Sequence, residues 1–142
     1  MKIYLVRHGE TVWNVENRIQ GHLDSPVTGQ GTRQITALCR DLTDKSIGLV
    51  VASPLGRSVT SAGQIASWLD SPLQLDPAFV ERHFGDLEGK RIDELTEKER
   101  THAAMVLSGT PGIRPQNGES PEEATRRVLT ALSGLSVFEG NV

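Results

Sequence analysis

Ile3-Tyr4-Leu5-Val6-Arg7-His8-Gly9 stands near the start of the chain, an apolar run that ends in an arginine, a histidine and a glycine. The run predicts a short buried strand over Ile3–Val6, with His8 at its C-terminal tip. In an open α/β sheet that tip is where βα loops gather groups around a ligand. Working outward, Gly31–Leu42 carries Ile35, Leu38, Cys39 and Leu42 at the spacing of an amphipathic helix. Ile47–Ala52 is a second apolar run, closed by Ser53-Pro54. Val59, Ala62, Ile65, Ala66 and Leu69 then form another helical stripe, and Leu73–Leu75 is a third short strand bounded by Pro72 and Pro77. Strand, helix, strand, helix, strand is the order of a mostly parallel α/β sheet.

The later part of the chain is less regular. Glu81–Gly118 is polar and predicts a loop with one or two short helices around Ile92–Leu107, and Glu97-Lys98-Glu99-Arg100 reads as a solvated helix face. Ser120-Pro121-Glu122-Glu123 opens a last helix, with Ser120 as cap, Pro121 in the first turn and Glu123 completing a capping box. Ala124, Val128, Leu132 and Leu135 are its expected buried face. Trp13 and Trp68 read as core or pocket-wall aromatics, His22 and His102 as surface residues.

The 142 residues are enough for one domain around one core, and the whole of 1–142 is read as a single unit. A formal net charge of -3 argues against a general nucleic-acid binder. Any anionic ligand must then be held by a few local arginines. Cys39 is the only cysteine, which excludes an internal disulfide and a cysteine-rich metal site; its helical spacing places it in the core. No run approaches a membrane span or a signal-peptide core, so no membrane partner and a cytoplasmic location are expected.

An imidazole beside an arginine at a strand end can be a nucleophile, a metal ligand, a general base or a packed core histidine. Nothing else in that segment lies at metal-ligand spacing, so no metal is expected. The functional reading gains weight from Arg7, Asn14, Arg57 and Glu81, each placed where a strand gives way to a loop. Two guanidiniums can each pair with phosphate oxygens, and the Asn14 amide adds a donor. Phosphoryl transfer needs such a clamp. Neutral His8 can attack phosphorus, while Glu81 protonates the leaving oxygen and later deprotonates water.

Leu5-Val6-Arg7-His8-Gly9-Glu10-Thr11, with Asn14 after it, resembles the opening motif of the histidine phosphatase superfamily, which includes the phosphoglycerate mutases. The resemblance continues through Arg18-Ile19-Gln20-Gly21, Asp24-Ser25-Pro26-Val27-Thr28, Ser53-Pro54-Leu55 with Arg57, Glu81–Gly89 and Gly118-Glu119-Ser120. It implies a three-layer α/β/α fold like that of the phosphoglycerate mutases. By the same resemblance His8 is the phosphorylated nucleophile, Glu81 the proton donor, and Arg7, Asn14 and Arg57 hold phosphate. Gln20, Gly21, Arg82 and His83 are then expected near a substrate that is a small phosphorylated metabolite. His83 is expected to pack beside substrate rather than to catalyse.

The chain departs from the family in one respect: no second His-Gly follows the last helix. In relatives that histidine ends a mid-sheet strand, so the expectation is a partial domain, truncated before its C-terminal strands, with a weakened pocket. An exposed apolar edge beside Ile3–Val6 would then invite pairing with another chain, hence homo-oligomerisation. Three activities remain open. A phosphomonoester hydrolase is favoured by the short Gly89–Gly118 segment, since an unshielded phosphohistidine is hydrolysed. A phosphoglycerate mutase-type transferase is favoured by Glu81-Arg82-His83 followed by an aromatic, and it alone would call for 2,3-bisphosphoglycerate as cofactor. An inactive phosphate-binding fragment is the third.

Overall fold

The computed structural model describes residues 1–142. Its helices are α1 (Val12–Val15), α2 (Gly29–Leu42), α3 (Gly56–Leu69), α4 (Glu97–Leu107) and α5 (Pro121–Gly134); its strands are β1 (Val50–Ala52) and β2 (Leu73–Leu75). Most helices begin where the sequence supplies an acceptor for the orphan N–H groups of the first turn. The Thr28 hydroxyl accepts from the Gly31 amide at 3.0 Å. Thr96 with Glu99 and Ser120 with Glu123 form reciprocal capping boxes, the second as the spacing predicts. No side chain of its own caps α3. Asp24, from a distant loop, does so instead, each carboxylate oxygen 3.3 Å from the Arg57 amide.

β1 and β2 pair in parallel through α3, with Val50 opposite Leu73, Val51 opposite Gln74 and Ala52 opposite Leu75. Ile35, Cys39 and Leu42 of α2 meet Ile65 of α3 in a buried cluster, with Tyr4, Leu38, Val50 and Leu69 packed around it. The periodicity of both helices is thus spent on one core. A second cluster joins Ile19, Leu87, Leu95, Ala103 and Val106, edged by Phe84, Ile92 and Ile113. It fastens α4 and the Gly85–Leu87 turn over the loop that carries Gln20 and Gly21.

Three expectations are corrected. Ile3–Val6 is not a buried strand: it lies outside the sheet, and Leu5 is 86% exposed. The reason is lateral. The Tyr4 amide donates to the Val142 carbonyl and the Val142 amide to the Lys2 carbonyl, while the Gly48 amide donates to the Asn141 carbonyl. Ile3–Val6 makes no other backbone hydrogen bond. An apolar groove of about 290 Å³ separates them, with Ser61, Ala62 and Ile65 of α3 on one side and Leu132 of α5 on the other. Helices on both sides of the strand level are what a three-layer α/β/α arrangement requires. The face of α5 holds no fully buried residue, because Leu132 and the following Leu135 line that groove. Trp68 is exposed on α3, its indole N–H 3.3 Å from the Thr43 hydroxyl, whereas Trp13 lines a pocket.

Candidate active site

Gly9 brings the end of the Ile3–Val6 segment against α2. A Cβ at Gly9 would stand 2.6 Å from the Gly31 carbonyl oxygen, so the two backbones can meet only as glycines. The Gly9 amide donates to the Ser61 hydroxyl at 3.0 Å, and that hydroxyl donates to the Arg57 carbonyl at 2.8 Å. The turn after His8 is therefore tied to the first turns of α3. His8 itself is half-buried. Its Nδ1 lies 2.8 Å from the Gly9 carbonyl oxygen. A carbonyl only accepts, so Nδ1 carries the proton and Nε2 keeps its lone pair. Burial, seconded by the Arg57 and Arg7 guanidiniums, holds the imidazole below its usual 6.5, against the opposing pull of the Gly9 hydrogen bond and Glu81. His8 is thus neutral at pH 7, with a free nucleophilic nitrogen.

Around it two adjoining pockets share Arg7, His8, Arg57 and Glu81. One, of about 300 Å³, continues past Asn14, Asn17, Arg18, Gln20 and Gly21, a mostly polar lining with Trp13, Ile19, Phe84, Ile92 and Leu107 as its apolar members. Arg7 is exposed and free of any protein partner. Asn14 Oδ1 accepts from both the Thr11 amide and hydroxyl at 3.0 Å, which leaves its Nδ2 donors for the pocket.

Arg57, 3% exposed, is held far more tightly. Its Nη2 donates to the Gly21 carbonyl at 2.7 Å, and its Nη1 to the Leu23 carbonyl at 2.9 Å and to Asp24 at 3.2 Å. Burial raises the Asp24 carboxyl, but the Ser25 and Arg57 donors outweigh it and set its pKa below the usual range. The Arg57 Nε and the Gln20 Oε1 are buried without partners. Both residues line the same pocket.

Glu88 completes the frame. One of its oxygens accepts from the His22 and Phe84 amides and the other from the Leu23 amide. Gly21, at φ +59, leaves the room that this carboxylate occupies. Glu81 is exposed at the pocket, its Oε1 accepting from the Arg82 amide at 2.8 Å.

The structure thus brings together His8, Arg7, Asn14, Gln20, Gly21, Arg57 and Glu81. It does not bring in Arg82 and His83. Arg82 is buried, stacks 5.0 Å over the Phe84 ring and donates to the Val106 carbonyl. His83 packs edge-on against His22, ring centroids 4.5 Å apart, with its Nδ1 accepting from the Gly85 amide at 3.1 Å. Side chains that follow one another along a non-helical segment point to different sides, so neighbours of Glu81 need not share its pocket. Sequence reasoning passed over Asp24 and Glu88 as individuals, although both stand inside the family motifs. His22 is exposed as expected, and its ring meets the Glu81 carbonyl.

A sequence model described as Histidine phosphatase superfamily (branch 1) matches residues 3–140. The probable phosphoglycerate mutase GpmB of Photorhabdus laumondii is 41% identical over 132 residues, 93% of this chain and 61% of that protein. This chain thus spans about three fifths of the length of the curated relatives it matches. Among solved structures, YhfR of Bacillus stearothermophilus superposes with a TM-score of 0.87 at 33% identity, covering 98% of this chain and 69% of that one. The α-ribazole phosphatase of Shigella flexneri gives 0.82 at 31%, covering 96% and 67%. A mycobacterial glucosyl-3-phosphoglycerate phosphatase complexed with VO3 gives 0.83 at 26%, covering 91% and 61%.

Proposed function

The chain belongs to the histidine phosphatase superfamily, and from that premise we propose that it hydrolyses small phosphomonoesters in the cytoplasm through a phosphohistidine on His8. One observation carries the reading: a neutral imidazole with Nε2 free lies in a pocket shared by two guanidiniums and a carboxyl group.

In the first step His8 Nε2 attacks phosphorus and the bond to the leaving oxygen breaks. The Glu81 carboxyl gives that oxygen its proton, so the alcohol leaves neutral. In the second step water attacks phosphorus, Glu81 takes the proton back, and the N–P bond breaks to release phosphate and free imidazole. Arg7, Arg57 and the Asn14 amide balance charge on the transferring oxygens throughout, so these steps call on no metal. Glu81 is exposed, and the phosphoryl site opens to solvent through both adjoining pockets. Water can therefore reach the phosphohistidine, which favours hydrolysis over transfer to a second substrate.

Turnover of p-nitrophenyl phosphate by the wild-type chain and by His8→Ala tests the proposal. Wild-type turnover that disappears in the variant is expected; equal rates would overturn it. The mutase reading draws on the curated relatives named probable phosphoglycerate mutase. Conversion of 3-phosphoglycerate to its 2-isomer without phosphate release, dependent on added 2,3-bisphosphoglycerate, would establish that reading instead.

A further inference from the structure

Glu81 reaches the pocket from a segment with no regular secondary structure, yet an acid that must meet a leaving oxygen has to be held to within a fraction of an ångström. The hydrogen bonds that hold it come from outside the pocket. Arg127, on α5, faces Glu119 with both arms of its fork, Nε to Oε1 at 2.7 Å and Nη2 to Oε2 at 2.8 Å. The same guanidinium donates from Nη1 to the Ala78 carbonyl at 2.8 Å and from Nη2 to the Glu81 carbonyl at 3.2 Å. Glu119 holds the far side of the segment: its carboxylate lies 3.4 Å from the His83 amide, and its own amide donates to the His83 carbonyl at 2.8 Å. The His22 ring adds a further donor to the Glu81 carbonyl at 2.8 Å. Ala78, Glu81 and His83 are thus gripped by one ion pair whose members do not line the substrate pocket.

We propose that Arg127, braced by Glu119, is the positioning residue for Glu81, fixing the backbone from which the acid reaches the leaving oxygen. The proposal rests on the assignment of Glu81 as proton donor. The pair is ionised over the working range, because the hydrogen bond to Arg127 holds the Glu119 carboxyl below its usual value and raises the guanidinium in return. Only a planar fork makes all four contacts. A lysine is a point charge that keeps the attraction and loses most of the geometry.

A displaced acid hurts substrates in proportion to their need for a proton, whereas a damaged fold or phosphate clamp hurts all substrates alike. The experiment compares kcat/KM for an alkyl phosphate, whose leaving oxygen needs the proton, with that for p-nitrophenyl phosphate, whose leaving group does not. Arg127→Gln is expected to lose roughly 10- to 100-fold on the alkyl ester and less than about 3-fold on the aryl ester, with Arg127→Lys in between. Glu81→Gln is the reference and should show the same selectivity more strongly. Equal losses on both esters, or no loss in Arg127→Gln while Glu81→Gln is selective, would overturn the positioning role and leave the proposed function standing. If Glu81→Gln shows no selectivity, the acid assignment itself fails. Amide hydrogen exchange across Ala78–Gly85 then decides the grip without reference to turnover: faster exchange in Arg127→Lys, which preserves the charge and the surface of α5, supports it, and unchanged exchange overturns it.

Discussion

On one side of His8, the loop from Arg18 to Asp24 is stapled to the Glu81–Gly89 segment and to α3 by Glu88, Arg57 and Asp24. The α4 cluster seals it from outside. On the other side, Ile3–Val6 faces β1 across an apolar groove, with Leu5 and Val6 exposed. The two sides share the imidazole and little else. The stapled side pairs most of its polar groups through side chains reaching across tens of residues, Arg57 Nε and Gln20 Oε1 excepted; on the open side Leu5 and Val6 face solvent. The proposed chemistry draws most of its residues from the first. Arg57, Asn14, Gln20 and Glu81 are held there, and the open side adds only Arg7 and His8.

That contrast can be broken by truncation on each side. Leu87→Ala, in the sealed cluster, should destabilise the fold by about 2–5 kcal/mol, whereas Leu5→Ala should change it by less than about 0.5 kcal/mol. Urea denaturation of the two variants checks both figures. Similar losses would mean that the open side is packed as tightly as the other.

Arg57→Gln removes the guanidinium that spans both the loop and the phosphoryl site. Loss of one preorganised donor of this kind typically costs about 10²–10³ in rate, so kcat for an aryl phosphate should fall by that order. Steady-state kinetics decides, and a change confined to KM would place Arg57 outside the transition-state contacts.

The charges around His8 give a pH signature. Its pKa lies below the usual 6.5, so the reactive neutral form persists below that pH and the acid limb of kcat/KM should lie on the acid side of 6.5. Arg7→Gln deletes one of the lowering charges and should move that limb to higher pH. In the fold the same shift has a sign. The unfolded chain takes up a proton on His8 first, so this contribution is intact above 6.5 and lost as pH falls from 6.5 through the folded value.

The smallest effect is expected from Asp24→Asn. Its side chain is 36% exposed, and surface pairs contribute about 0.2–1 kcal/mol. The variant keeps the Gly21 and Leu23 contacts of Arg57, so the rise in KM should be only a few-fold.

Where sequence reading succeeded, the signal was local. Leu73–Leu75 is a strand bounded by prolines, Ser120 and Glu123 make their capping box, and the stripes of α2 and α3 bury Ile35, Cys39 and Ile65. Where it failed, the decisive partner was remote. Ile3–Val6 has the composition of a buried strand, but burial depends on what lies beside it, and its hydrogen-bonding neighbour is Val142 alone. Arg82 follows Glu81 in the chain yet turns to the Val106 carbonyl. Arg127 reaches the Glu81 carbonyl and Glu119 the His83 amide from a helix and a turn whose local pattern says nothing about that segment.

The central claim is that His8 itself carries the phosphoryl group, and acid-stable handling is not expected of that bond. The direct measurement is rapid quenching of Glu81→Gln during turnover of p-nitrophenyl phosphate, followed by mass spectrometry of the peptide containing His8 under alkaline conditions. The leaving group needs no proton, while release to water loses its base, so the account predicts one phosphoryl group accumulating on His8 and none in the His8→Ala background. Wild-type turnover with the His8 peptide unmodified at every quench time would contradict it.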